Sequence, residues 1–497
     1  SIRMLADHNA GAEDNPWLLW CAFAACHAPH QAPKDIIKSY DPMFEGGWDK
    51  ERERRLTRQK ELGIVPENTE MPPRNDGVKA WDEHTADEHR LYTRLQSAYA
   101  GMLDHTDRHI SRLIDFLEET GQMDNTLILV LSDNGASQEG GRNGLVNAMG
   151  PFNLRPESME EKFARIEDIG GPDTHSNFPH GWAMAANSPL KRYKQNTHGG
   201  GIRDPLIISW PKGLPARGEL RHQFAHCSDV VPTLLDILNI EPPETINGVK
   251  QQPIEGQSFK DSLLKPEAPA RDKPQYFEMF GHRGIWQDGW KAVAFHPMGS
   301  AFEDDQWELY NLDEDFSESK DLAAEQPERL KTMIDSWWKE AKENQVLPLD
   351  DRFAPRFAEN AERLQGDRTK FVFHRGVGHI PSDVAPDLRS RNYRIEAEAD
   401  VESENSNGVL IAHGDTTSGY SLYMKDGHLV HDLNIGGEHV VVTSDKKVAP
   451  GRRLLGLKVE RLTKEEKPRM GKGMGQSRYT LTIDGEDAGF AESNLGF

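Results

Sequence analysis

The sequence predicts an α/β chain built on a mostly parallel sheet flanked by helices, followed by a small α+β unit and a C-terminal all-β sandwich. Three observations carry that expectation. Two short, wholly apolar runs, "WLLWCAFAAC" (17–26) and "TLILVLS" (126–132), bracket a long helical repeat, as a strand–helix–strand unit does. Short alternating strands and one amphipathic helix occupy 273–345. Beyond residue 365 the helical period disappears, and a two-residue period between turn signals replaces it.

Bulk properties narrow the function classes. A chain of 497 residues should fold as two or three domains. The 59 Lys and Arg against 81 Asp and Glu leave a net charge of -22, so nothing offsets repulsion from nucleic-acid phosphates. No apolar run is long enough to span a bilayer. Three cysteines cannot make a disulfide framework, and Cys21 and Cys26, inside an apolar run, are predicted core thiols. The chain opens at Ser1 within "SIRMLADHNAG", which reads as a helix running into a loop. An N-terminal segment is therefore expected to be missing, and the compartment stays undetermined.

The elements follow in order. Residues 34–85 are polar, with Pro, Gly and the block "DKERERR", and are predicted to be a surface excursion. Leu95, Tyr99, Met102, Leu103, Ile110, Leu113, Ile114 and Leu117 fall at helical spacing, with Gly121 as the residue past the helix end. A Gly/Asn/Pro-rich stretch (135–189) leads to a strand at "PLIISW" (205–210) and a helix within "SDVVPTLLDILNI" (228–240). "YFEMF", "RGIWQDGWKAVAF" and "QWELYNL" are strands, and "EQPERLKTMIDSWWKEAKEN" (325–344) is a helix. The predicted domains are 1–272 (α/β), 273–345 (α+β), a linker at 346–364, and a sandwich at 365–497 with hairpin turns at Asp426-Gly427 and Asp484-Gly485. The sandwich is expected to hold its own core and to contribute little to any cleft.

Ligands of open parallel sheets bind beyond the carboxyl ends of strands. Strand 17–26 runs into His27-Ala28-Pro29-His30, and strand 126–132 into Asp133-Asn134-Gly135. Strand 205–210 follows "KRYKQNTHGGGIRDP", which carries Lys194 and His198. Asp133 and Asn134 each offer an oxygen to a hard cation such as calcium, which takes six to eight. Taken alone, the tripeptide is more simply an Asx turn closing a strand. Alone, His27 reads as a packed structural residue and Lys194 as one lysine among many.

Taken together, residues 15–33, 126–136 and 181–211 resemble the sulfatase family, arylsulfatase type, of the alkaline-phosphatase superfamily. "ACHAPHQAP" is similar to its His-x-Pro-x-x-Ala-Pro, and "LSDNGA" to its metal-binding Ser-Asp-Asn-Gly. "YKQNTHGGGIRDPLIISWP" is similar to its Lys-containing stretch before Gly-Gly-Ile-Arg-x-Pro. "DVVPTLLDI", "GQSF", "GWKAV" and "WELYNL" also fit, so the resemblance runs over roughly residues 1–345. Residues 365–497 resemble a lectin-like jelly roll.

The resemblance implies an alkaline-phosphatase-like fold and hydrolysis of a sulfate ester, on a small molecule or a sulfated carbohydrate. Asp133 and Asn134 would be two ligands of a calcium ion. His27 would contact the sulfate or protonate the leaving oxygen, and Lys194 would hold a sulfate oxygen. Two departures stand out. Gly199 sits where the family usually has Glu. The formylglycine nucleophile, made from Cys or Ser in Cys/Ser-x-Pro/Ala-x-Arg, has no counterpart: Cys26-His27-Ala28-Pro29-His30 lacks the Arg, and Cys227-Ser228-Asp229 fails at the third position. The nucleophile and two further metal aspartates are expected in the absent segment, and these 497 residues alone are expected to be inactive. Rival readings are a phosphodiesterase or phosphonate hydrolase of the same superfamily, and a non-catalytic glycan-binding relic.

Overall fold

The structure, a computed structural model, describes residues 1–494 apart from 13, 153–154, 216–217, 353–354, 356–358, 360–363, 365, 382–383, 389–390 and 463–474. Nine of the nineteen residues of the predicted linker at 346–364 therefore lie outside the described residues. No helix among them is long and apolar enough to cross a membrane.

After α1 (Ile2–Ala12), helices α2 (Lys34–Phe44) and α3 (Gly47–Glu61) precede α4 (Ala86–Glu119). The long helix α4 starts at a capping box, in which Thr85 accepts from the Glu88 amide and the Glu88 side chain accepts from the Thr85 amide. It ends beside Gly121, whose φ of 68° lets the chain turn away. Its inward stripe of Leu91, Tyr92, Leu95 and Ala98 is buried. Helix α2 lies across it where Gly101 leaves room: a Cβ there would sit 3.2–3.3 Å from atoms of Ile37.

Residues 34–85 are thus not the surface excursion their polarity predicts. Trp48 and Trp81 are buried and meet edge to face, with ring centroids 4.7 Å apart. Trp182 on α5 (His180–Ala186) packs on Trp48 at 5.9 Å. Even the charged block is partly inside. Glu51 is buried against Arg54 and Arg55, and Arg52 donates to the Pro72 carbonyl at 2.7 Å. The single tryptophan of α3 is enough to anchor one end of an otherwise charged helix, because an aromatic carries so much apolar area.

Strands β1 (Ile128–Leu131) and β2 (Leu206–Ser209) pair, Ile128 opposite Ser209 and Leu131 opposite Leu206. The α/β class stands, but the predicted parallel pairing is corrected: every ladder between strands longer than a bridge among the described residues is antiparallel. The cause is local. Residues 135–136, just past β1, are bonded to 194 and 201, so the chain re-enters at the end of β1 that it left and must run back. The second correction concerns 17–26. Residues 16–24 form no ladder, and Leu18 and Trp20 are 87% and 83% exposed. Apolar character alone does not bury a strand without a partner for its amides. Cys21 is exposed with it, contrary to the core role predicted, and Cys26 is half-buried.

Downstream comes α6 (Val230–Leu238). Then β3 (Gln275–Met279), β4 (His282–Gln287), β5 (Trp290–Ala294) and β6 (Trp307–Asn311) form an antiparallel meander. Helix α7 (Pro327–Glu343) seals one face with Met333, Trp337 and Ala341 against Ile285, Ala292 and Leu309.

The C-terminal part is all-β, as its alternation predicts. One sheet holds β8 (Gly408–Gly414), β9 (Ser418–Lys425), β10 (His428–Ile435) and β11 (Glu438–Thr443) in that order. The other holds β7 (Tyr393–Val401), β12 (Gly451–Arg461), β13 (Ser477–Ile483) and β14 (Glu486–Ser493), in the order β14-β13-β12-β7. Leu422, Leu429, Leu433, Leu455, Leu457 and Leu481 fill the space between them.

Candidate functional site

The turn after β1 meets the glycine turn before β2. Ser132 Oγ donates to the Asn134 carbonyl at 3.0 Å, and Asn134 Nδ2 to the Gly135 carbonyl at 3.1 Å, so a side-chain-stabilised turn does close the strand. It is also docked. Gly135 N donates to Gly201 O at 3.2 Å, Ala136 N to Asn187 Oδ1 at 2.8 Å, and Lys194 N to Ala136 O at 3.0 Å. The glycines are needed for contact between backbones. A Cβ on Gly135 would fall 1.8 Å from Gly200 O, one on Gly200 2.3 Å from Arg192 O, and one on Gly201 2.0 Å from Asn196 O.

Lys194 projects from this junction. Its Nζ lies 3.1 Å from His27 Nε2 and 3.4 Å from Glu139 Oε2. His27 Nδ1 lies 2.7 Å from the Ala28 carbonyl, which can only accept; Nδ1 therefore carries the proton and Nε2 accepts from Lys194. The structure thus brings the His27 and Lys194 side chains together across 167 positions, and bonds the Lys194 amide to Ala136, two residues past Asn134.

The His27 loop is held from behind. His30 N donates to Ser176 O at 3.0 Å, Ser176 Oγ to His30 O at 2.9 Å, and Gln31 Nε2 to Thr174 O at 2.9 Å. His30 is buried between Tyr99 and Phe178, with ring centroids 5.2 and 5.0 Å away. Burial, helped by the charges of His27 and His175, pulls its pKa down to about 3. It anchors the loop as a neutral ring.

Three acidic or imidazole groups join the site that sequence reasoning missed. Glu139 faces Lys194. Asp204, just before β2, is pushed up to about 7 by burial and by the charge of Asp133. His175 is held below the ordinary histidine range by burial, with Asp415 of the sandwich opposing and His27 reinforcing that shift. Asp204 becomes legible only once the antiparallel register places the start of β2 beside the end of β1. Asp133, Asn134 and Asp204 are all hard oxygen donors, and a buried carboxyl beside a carboxylate is relieved by a cation. The donor chemistry fits calcium; among the described residues no group of three or more His, Cys, Asp or Glu gathers as a metal site.

The small sheet pins the glycine turn. Gly199 N donates to both Glu318 oxygens at 3.1 and 3.0 Å, and Lys291 Nζ donates to Glu318 at 2.6 Å. A Cβ on Gly199 would come 3.3 Å from Glu318 Oε1, so a carboxylate from the loop after β6 lies where a longer residue 199 would project. His198 Nε2 sits 3.3 Å from Glu308, which also binds Lys191. Burial pushes the Glu318 carboxyl up, but Lys291 and His198 outweigh it and hold the pKa low.

The sandwich, which has its own core, also touches the α/β part. Thr416 Oγ1 donates to Pro172 O at 2.9 Å, Arg155 binds Glu438, and Gly436 lies against Gly150. Its 415–418 turn abuts the segment that supports the His27 loop.

Comparison with known proteins bears on these residues. The sulfatase family model matches residues 3–240, and the model of the N-sulphoglucosamine sulphohydrolase C-terminal region matches 191–345. The chain is 32% identical over 334 residues to an uncharacterized sulfatase of Schizosaccharomyces pombe, covering 67% of this chain and 58% of that one. It is 28% identical over 273 residues to an arylsulfatase of Klebsiella aerogenes, covering 55% and 56%. An N-acetylglucosamine-6-O-sulfatase of Bacteroides thetaiotaomicron is 24% identical over 261 residues, covering 51% and 37%. The chain thus spans little more than half the length of the first of these relatives. The two family models together take in the His27 loop, the turn after β1, the Lys194 turn and the small sheet that pins it, and the chain belongs to the sulfatase family.

Proposed function

We propose that these residues form the sulfate-holding and leaving-group side of a calcium-dependent, arylsulfatase-type sulfuric-ester hydrolase. The observation that carries this reading is the contact of Lys194 Nζ with His27 Nε2, with the Lys194 amide bonded to Ala136 just past Asp133 and Asn134. Lys194 is an ammonium in a partly buried position, with its side chain 17% exposed, and has only to exchange its contact with His27 to meet a sulfate oxygen. When an anionic ester enters between them, Lys194 turns to the sulfate. His27 Nε2, freed from Lys194, can take a proton from water while Nδ1 keeps its own, and is placed to hand that proton to the departing alkoxide. Calcium, held by Asp133 and Asn134 with Asp204 beside them, would neutralise charge on the sulfate oxygens. The nucleophile is assigned to no residue here, since no Cys/Ser-x-Pro/Ala-x-Arg occurs in the sequence. General acid help alone contributes about 10²–10⁴-fold, so the 497 residues are proposed to bind sulfate esters without turning them over.

The test is calorimetric binding of 4-nitrophenyl sulfate in calcium buffer. Lys194→Met should weaken binding at least about tenfold, the cost of one charge-assisted contact. Asp133→Ala should abolish the dependence on calcium. Affinity that both variants leave unchanged would sink the reading. Steady turnover by this chain would show that a nucleophile had been overlooked.

A further inference from the structure

We propose that the sandwich turn Asp415-Thr416-Thr417, together with His175, forms the wall of the site that reads the alcohol half of the ester, and that this wall selects a hydroxyl-rich leaving group such as a sugar over a flat aryl one. The proposal rests on the sulfate-ester reading above.

The turn is rigid and accessible. It joins β8 to β9, with Asp415 N bonded to Ser418 O at 2.9 Å. Asp415 Oδ1 accepts from Thr417 N and Thr417 Oγ1, both at 2.7 Å, and from Ser418 N at 3.1 Å. Gly414 has a φ of 111°, and a Cβ there would lie 2.2 Å from Ser418 O, so the hairpin end admits no side chain at that point. Asn434 Nδ2 ties Thr416 O to the neighbouring strand at 2.9 Å. Asp415 and Thr416 themselves are exposed.

The turn is also fixed against the site. Thr416 Oγ1 bonds Pro172 O, three residues before His175, and Ser176, one residue after it, grips His30 in the His27 loop. His175 is half-exposed and feels the charges of both Asp415 and His27. Neither ring nitrogen of His175 makes a hydrogen bond among the described residues, and all three bonds to the Asp415 carboxylate fall on Oδ1. The His175 imidazole, next in sequence to the Ser176 that grips the His27 loop, and the free oxygen of Asp415 on the turn bonded to Pro172 are therefore left without partners among the described residues on this side of the loop. A sugar hydroxyl can donate to the carboxylate oxygen and accept from an imidazole N–H. A bare aromatic ring would strip water from both and return nothing, which is how polar walls discriminate.

The experiment compares inorganic sulfate, 4-nitrophenyl sulfate and N-acetylgalactosamine 6-sulfate as calorimetric ligands of the whole 497-residue chain in calcium buffer. Unmodified protein should bind the sugar sulfate more tightly than the aryl sulfate. Asp415→Asn and the conservative His175→Gln should each weaken the sugar sulfate about tenfold, with inorganic sulfate changed less than about twofold and unfolding temperatures preserved. Lys194→Met should weaken all three ligands, which marks the sulfate end apart from the wall. Sugar-sulfate affinity indifferent to both wall variants overturns the wall alone. Parallel loss of inorganic sulfate in those variants overturns it too, because that is the mark of mere scaffolding. No binding of inorganic sulfate by the unmodified protein overturns the sulfate-ester reading beneath it and the wall with it.

Discussion

At Gly135 a single hydrogen atom decides whether two turns can meet. Gly135→Ala would drive a methyl into Gly200 O, a backbone atom with no rotamer to yield. Overpacking of this kind costs about 1–3 kcal/mol. The variant should unfold several degrees lower and, because Lys194 N is bonded to the next carbonyl, should also lose sulfate affinity. Thermal unfolding and calorimetry would check both, and an unshifted variant would show that the turns can part without consequence. His30 makes a second prediction. Its folded pKa of about 3 lies below the ordinary 6.5, so the unfolded chain takes the proton first. Stability is intact above pH 6.5 and falls by about 1.4 kcal/mol per pH unit as the pH drops from there toward 3. His30→Leu, which keeps the apolar contact with Tyr99 and Phe178, should therefore recover about 2 kcal/mol of what the unmodified protein loses between pH 7 and 5. Urea unfolding at the two pH values measures it. Equal losses in both proteins would count against a neutral buried His30.

At the scale of elements, the meander β3–β6 acts on the site through one carboxylate on the loop that follows it, held by Lys291 of β5. Glu318 accepts from the Gly199 amide and from Lys291, and both acid and base are buried. Glu318→Gln keeps the shape but leaves the Lys291 ammonium buried without its counter-charge. Breaking a buried pair in this way costs about 3–5 kcal/mol. The stability loss should come with weaker sulfate binding, since the 194–203 turn loses its clamp. Chemical denaturation of the variant, with and without sulfate, separates the two effects. A variant as stable as its parent would mean that the turn holds itself.

At the scale of the molecule, three bodies converge on one junction. The helical part supplies His27 and Lys194, the meander holds the glycine turn, and the sandwich presses Thr416 onto Pro172. A ligand bound at that junction should stabilise the whole chain. Calcium at about one hundred times its dissociation constant adds about 2.7 kcal/mol to the folded state. The unfolding temperature of the unmodified protein should rise accordingly, and Asp133→Ala should not respond. A shift of the same size in the variant would place the cation elsewhere.

What could be read in the sequence was whatever local pattern decides. The capped helix α4, the strands of the meander and sandwich, and the residues of the three site motifs are all set by periodicity, turn chemistry and short spacing. What only the tertiary structure decided depends on which surfaces meet. Residues 17–26 are as apolar as a core strand, yet none is buried and most lie exposed, because burial needs a neighbour to accept their amides. Residues 34–85 look solvated and carry Trp48 and Trp81 into the core, because two aromatics outweigh many surface charges. The direction of β2, and with it the place of Asp204, follows from where the glycine turn docks. Glu318 and Asp415 reach the site from 119 and 240 positions beyond Gly199 and His175, distances over which no sequence period carries information.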